Sequence, residues 1–103
     1  MRTIKFKVEQ QLISRLGDHK NIYTGTENYL ELEFEFDDNW KDCVKAIVFN
    51  PGPNESSDIL KNNKCMVPNN LCQNRFIKFY IVGKRADYRI KTHQTRIGVI
   101  TNG

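Results

Sequence analysis

No stretch of this chain stays apolar for anything near the ~20 residues that a membrane-spanning helix requires. From Lys5 onward the opening MRTIKFKVEQQ breaks into charge at every second residue, so it lacks the apolar core of a secretory signal. The expectation is a soluble chain that neither crosses a membrane nor is exported by that route. Helical patterning is also missing. No segment keeps a 3.6-residue period over the length of a globular helix, while Gly, Pro, Asn and Asp recur throughout as turn signals.

Histidine is scarce, with only His19 and His93, and neither stands beside a serine or cysteine in a nucleophile motif. A glycine-rich phosphate loop ahead of a helix is absent too. These gaps argue against an enzyme. The three cysteines are an odd number, which suits a reducing compartment better than a disulfide framework. Acidic residues become rare in the second half. Residues 1–51 carry seven basic and nine acidic side chains, whereas residues 52–103 carry nine basic and three acidic, within a net charge of +4. The molecule is electrically polarised, which bears on partner choice and association rate rather than on fold.

What is present is alternation. Ile4, Phe6 and Val8 alternate with Lys5, Lys7 and Glu9, and Leu30, Leu32, Phe34 and Phe36 alternate with Glu31, Glu33 and Glu35. Each run predicts a strand with one buried and one wet face. QLISRL predicts the return strand of a hairpin and GDHKNIYTGTEN a loop. VKAIVF at 44–49, DIL and KCMVP predict further strands, NPGPNESSD a loop, and NNLCQN a turn or single helical turn. FIKFYIV at 76–82 is the most continuous apolar run and predicts a central strand buried on both faces. GKRADY predicts a hairpin loop and RIKTHQTRIGVI one long last strand, with Gly98 marking a bulge or a close backbone approach. At 103 residues the chain has room for one domain, residues 1–103, and enough apolar residues to fold without metal or disulfide. The economical solution is an all-β, antiparallel two-sheet sandwich, with the lone Trp40 in its core.

The order KFKVEQQLI, FEFDDNWKDCVKAIVF, KCMVPNNL and KFYIVGKR…YRIKTHQTRIGVITNG resembles small immunoglobulin-like domains of tail and baseplate proteins from phages of Gram-positive bacteria. The resemblance spans nearly the whole chain. It implies an immunoglobulin-like sandwich that docks onto other tail proteins, found in the virion. Such domains usually precede a receptor-binding module, and here the expectation is a free-standing copy. For such a copy the alternative is a phage inhibitor of host defence, similar to anti-CRISPR proteins in size, acting in the host cytoplasm by binding a CRISPR nuclease and blocking its nucleic-acid loading or cleavage.

Candidate sites follow from residue chemistry. Cys43 follows the Trp40 corner, and Cys65 and Cys72 flank the VPNN turn. If these corners meet, three thiolates with His93, or His19, would complete a tetrahedral structural zinc site. No Cys-x-x-Cys pair is present, and free cysteine is commonly buried, so core packing is the competing expectation. Asp37, Asp38 and Asn39 suit a tight turn.

Two charged surfaces are the candidate docking faces. One is the row Glu31, Glu33, Glu35, Asp37 and Asp38. The other is the last hairpin, with Lys84, Arg85, Arg89, Lys91 and Arg96 around Tyr88. Basic residues interleaved with an aromatic can follow a nucleic-acid backbone and stack a base. No recognised binding motif accompanies them, so the expectation is a protein partner. Opposite charges on one small domain also allow copies to associate head to tail.

Overall fold

The computed structural model describes residues 1–17 and 19–101. Alternation does what it predicts in β1 (Arg2–Glu9): Ile4, Phe6 and Val8 are buried, and Lys5, Lys7 and Glu9 are exposed. The strands that follow are β2 (Leu12–Arg15), β3 (Leu30–Phe36), β4 (Val44–Phe49), β5 (Ser56–Ile59), β6 (Lys64–Met66), β7 (Phe76–Arg85), β8 (Tyr88–Lys91) and β9 (Thr95–Gly98). Short 3-10 turns lie at Asp38–Trp40 and Asn69–Gln73.

The described residues form two sheets. The first has the order β2-β1-β3-β6; in the second, β5-β4-β7 runs on to β8, with β9 also paired to β7. The protein is therefore all-β and mostly antiparallel. One ladder departs from the expectation, since β1 and β3 are parallel, with Arg2 opposite Leu30 and Val8 opposite Phe36. The connection explains it. β2, antiparallel to β1, returns the chain to the end where β1 began, so the connection to β3 need only pass across that end for β3 to run alongside β1 in the same direction. Arg2 ties this crossover down, its guanidinium donating to the Asn21 and Lys20 carbonyls at 2.8 Å each. The segment read as loop also contributes to the core through Ile22, 4% exposed. It is clamped to the segment just after β9 by an isolated parallel bridge between Tyr23 and Ile100.

The two sheets meet through aromatic rings. Phe6 stacks on Phe34 at 5.5 Å between centroids, and Phe79 meets both edge-on, at 5.5 and 6.0 Å. Edge-to-face pairs of this kind add roughly 0.5–1.5 kcal/mol beyond the area they bury. Trp40 is fully buried, as expected, and its indole N–H donates to the Gln10 carbonyl at 2.8 Å. A buried indole needs such a partner.

Three features of the last two-fifths of the chain differ from the sequence reading. FIKFYIV is central but buried on one face only. Ile77, Phe79 and Ile81 are fully enclosed, whereas Lys78 is exposed and Tyr80 and Val82 are half-buried, because no further layer covers the other side. The GKRADY loop shrinks to Ala86 and Asp87, with Lys84 and Arg85 paired in β7. RIKTHQTRIGVI is two strands, β8 and β9, that pair with successive parts of β7. The break is at Thr92, whose buried hydroxyl accepts from the Ile81 N–H at 3.0 Å and donates to the His93 carbonyl at 2.9 Å.

The glycine that permits a close approach is Gly83, not Gly98. A Cβ on Gly83 would lie 2.7 Å from the Trp40 ring, whereas one on Gly98 would meet its nearest neighbour at 4.0 Å. Gly83→Ala should accordingly destabilise the fold by about 1–3 kcal/mol, the range for overpacking a tight core. Gly98→Ala should meet no such clash. Urea unfolding of the two variants beside the parent measures the difference.

Candidate interaction surface

The acidic row is built on β3, which is an interior strand of the first sheet. Its central glutamate lies between lysines on both neighbours. In register, Glu33 stands between Lys5 of β1 and Lys64 of β6, and it pairs with both, at 3.8 and 3.3 Å. Glu31 accepts a hydrogen bond from the Thr3 hydroxyl at 3.1 Å, and Glu35 is aligned with Lys7. The row that reads as one-signed along the chain is thus a mixed-sign ladder across the sheet.

Asp37 and Asp38 leave this strand for the turn that follows. Asp37 caps the Asp38–Trp40 turn: one carboxylate oxygen accepts from the Asn39 N–H at 3.0 Å, the other from the Gln10 N–H at 2.7 Å and from the Asn39 side-chain amide at 3.2 Å. Partial desolvation pushes this carboxyl up. The hydrogen bond from the Gln10 backbone, then those from the Asn39 side chain and backbone, outweigh it, so the net direction is below the ordinary value of 3.8. This is turn chemistry holding two loops together.

The basic hairpin divides by strand alternation. Lys84 faces Arg89 across β7 and β8, Lys91 stands beside Val82, and Arg96 faces Lys78 across β7 and β9. These side chains share the outward face of the second sheet. Arg85 and Tyr88 pair one register step away and so point to the opposite side. Tyr88 turns to the Trp40 corner, where its hydroxyl donates to the Asn39 carbonyl at 2.8 Å and Arg85 covers its ring at 4.7 Å. It belongs to the frame of that corner and is not an open platform for stacking.

On the outward face the cations border an apolar strip. Val44 and Ala46 of β4 lie beside Lys84 and Val82, and Ile59 of β5 lies beside Ala46. Val44 and Ile59 are 63% and 51% exposed. Lys91 lies over the Tyr80 ring at 4.2 Å and Arg96 over Phe76 at 4.3 Å. No outward-facing strand position of this sheet is acidic. Lys78, Tyr80, Val82, Val44 and Ile59 were missed by the sequence reading. The signal that could have found them is a strict two-residue count through FIKFYIVGK, which puts Lys78, Tyr80, Val82 and Lys84 on one side.

The cysteines do not gather. Cys43 touches the Gly83 end of β7, where a Cβ on Gly83 would lie 3.2 Å from its own Cβ. Cys72 lies in the Asn69–Gln73 turn just ahead of Phe76, at the other end of that strand. A strand rises ~3.3 Å per residue, so these two thiols are separated by roughly the length of β7. Cys65 is opposite Leu32 in the first sheet. His93 is engaged by the Ile13 N–H at 3.1 Å and the Gln94 carbonyl at 2.8 Å. Among the described residues there is no cluster of three or more His, Cys, Asp or Glu placed to hold a metal ion. The candidate ligands Cys43, Cys65, Cys72 and His93, with His19 as substitute, stand on separate elements, and each thiol is buried where its own element puts it. Burial, reinforced by the nearby charges of Asp58 and Glu31, pushes the Cys65 thiol up to about 12.

No family model, curated protein or solved structure matches the chain.

Two outcomes follow from these titrations. A carboxyl held below 3.8 when folded stabilises the fold above that value, and the contribution is lost as pH falls through the folded value. The stability advantage of the parent over Asp37→Asn should accordingly shrink toward zero on acidification below 3.8, read as thermal midpoints against pH. Cys65, protonated up to about 12, should react with iodoacetamide at mildly alkaline pH far more slowly in the folded protein than in urea, read by peptide mass spectrometry.

Proposed function

We propose that this domain is a non-catalytic protein-binding module, an immunoglobulin-like sandwich of the kind found in phage tail and baseplate proteins. The observation that carries the reading is the outward face of the second sheet. It combines one sign of charge with exposed aliphatic side chains, and exposed apolar surface rimmed by polar groups is a mark of interaction sites. The resemblance carried by FEFDDNWKDCVKAIVF and KCMVPNNL supports the tail assignment. The four-and-five division of strands and the inter-sheet aromatic core suit an immunoglobulin-like sandwich. The parallel β1–β3 ladder is a departure from an all-antiparallel version of it.

Docking through a sheet face leaves both edges of the second sheet unused. Affinity would then depend on side chains, not on backbone pairing, and charge reversal on the outward face would weaken it without unfolding the domain.

The test is to probe purified particles from a lysate of the encoding phage with an antibody against the domain. Detection at constant stoichiometry through gradient purification is the expected result. Absence from particles would overturn the tail reading. Slowed cleavage by a host CRISPR nuclease in the presence of excess domain would replace it with the inhibitor reading.

A further inference from the structure

The outward face of the second sheet carries an electrostatic arrangement that the fold does not need. Lys84 stands directly opposite Arg89, and Lys78 directly opposite Arg96. Like charges in directly opposed positions of an antiparallel pair destabilise it. The ion pairs among the described residues that involve strand side chains are Lys5–Glu33, Lys7–Glu9 and Lys64–Glu33, all on the first sheet. The same chain thus balances charge on one outward face and leaves it unbalanced on the other.

We propose that this face binds an acidic protein segment in extended form, with carboxylates at two points and aliphatic side chains between them. The inference rests on the protein-binding reading and names the chemistry of the partner. The two cation pairs sit at positions 84 and 78 of one strand, six residues apart, which at ~3.3 Å per residue is about 20 Å. Between them on the outward face lie Val82 and Tyr80 of β7 and Ala46 of β4, with Lys91 beside Val82 and laid over the Tyr80 ring; Val44 is level with Lys84, and Ile59 edges Ala46. A partner strand laid along the β4 side of this face meets a cation pair, a stretch whose exposed groups are mainly apolar because Lys91 folds over Tyr80, and a second cation pair. Its complement is acidic at both ends and aliphatic in the middle.

The rings decide between an acidic polypeptide and a nucleic acid. A single strand of nucleic acid binds by stacking bases on open aromatic faces. Here Tyr80 is covered by Lys91 and Phe76 by Arg96, at 4.2 and 4.3 Å, and Tyr88 points to the other side of the sheet. The exposed apolar groups are aliphatic, which suits protein side chains. A second copy of this chain is a poor occupant, because Glu33 at the centre of its glutamate row is already paired with Lys5 and Lys64 and Glu31 accepts from the Thr3 hydroxyl.

The experiment titrates the intact domain with a nonapeptide bearing two glutamates at each end of a five-residue valine and threonine run, followed by chemical-shift mapping. The controls are the same peptide with glutamines at its ends and a thymidine oligonucleotide of similar charge. The expected result is saturable shifts on β4, β7 and β8 with the acidic peptide, weakened by salt and much smaller with the glutamine peptide. Lys84→Glu and Arg96→Glu each place opposite charges across the ladder. Each should weaken the peptide by about fivefold, the scale of an exposed ion pair, and should keep or raise the thermal midpoint. Lys7→Glu, on the other sheet, should leave peptide binding unchanged. Equal binding of the glutamine peptide, or indifference to both reversals, would overturn the proposal while leaving the protein-binding reading intact. Tighter binding of the oligonucleotide at the same residues would overturn both.

Discussion

The contact of Phe6, Phe34 and Phe79 between the two sheets is the constraint from which the remaining placements follow. It brings one residue from each of three central strands to within 5.5–6.0 Å of the others. Because side chains alternate along a strand, turning these three inward settles the direction of every other side chain on β1, β3 and β7. A one-residue slip of any of these strands would turn its ring out of the contact. The lysines of β1, the glutamates of β3 and the cations of β7 are carried to the surface by the same requirement.

The two outward surfaces that result differ in kind, and the difference comes from which strands are neighbours. Parallel pairing of β1 with β3 sets Lys5 beside Glu33, and antiparallel pairing of β3 with β6 brings Lys64 to its other side. On the second sheet β8 and β9 both pair with β7, and each contributes a cation opposite a cation. Exposed pairs of like charge cost little beside a packed aromatic core, so the fold tolerates them. Cation–ring contacts take up part of the cost by laying Lys91 and Arg96 along Tyr80 and Phe76.

A second device holds the sheets in place at one corner. Trp40 fills the space above Gly83 while its indole N–H reaches Gln10 in the β1–β2 turn. Asp37 holds the Gln10 N–H from the other side, and Tyr88 bonds to the Asn39 carbonyl. Farther along, the Gln11 side chain donates to the Lys91 carbonyl and His93 accepts from the Ile13 N–H. Together these bonds tie the first hairpin to the edge of β8. The outward face of the second sheet is therefore presented by strands fixed on their inner side.

Local pattern was enough to read β1 to β4 and β6, the burial of Trp40, the turn at Asp37 and the single helical turn near Cys72, while β5 begins at Ser56, inside the segment NPGPNESSD read as loop. Each depends on side-chain alternation or on a few adjacent residues, and both are written along the chain. Pairing is not. The parallel β1–β3 ladder, the division of the last segment at Thr92, the separation of the three cysteines and the split of the basic hairpin all depend on which strands lie side by side. Two of the intended surface residues, Arg85 and Tyr88, are adjacent in sequence to Lys84 and Arg89, yet they fall on the opposite side of the sheet. The sequence by itself determined that lysines, arginines and glutamates would line wet strand faces. Only the tertiary structure decided that the glutamates would be interleaved with lysines, with Glu33 paired on both sides, and the cations left together, because the sign of a surface is set by neighbours across a ladder and not by neighbours along a chain.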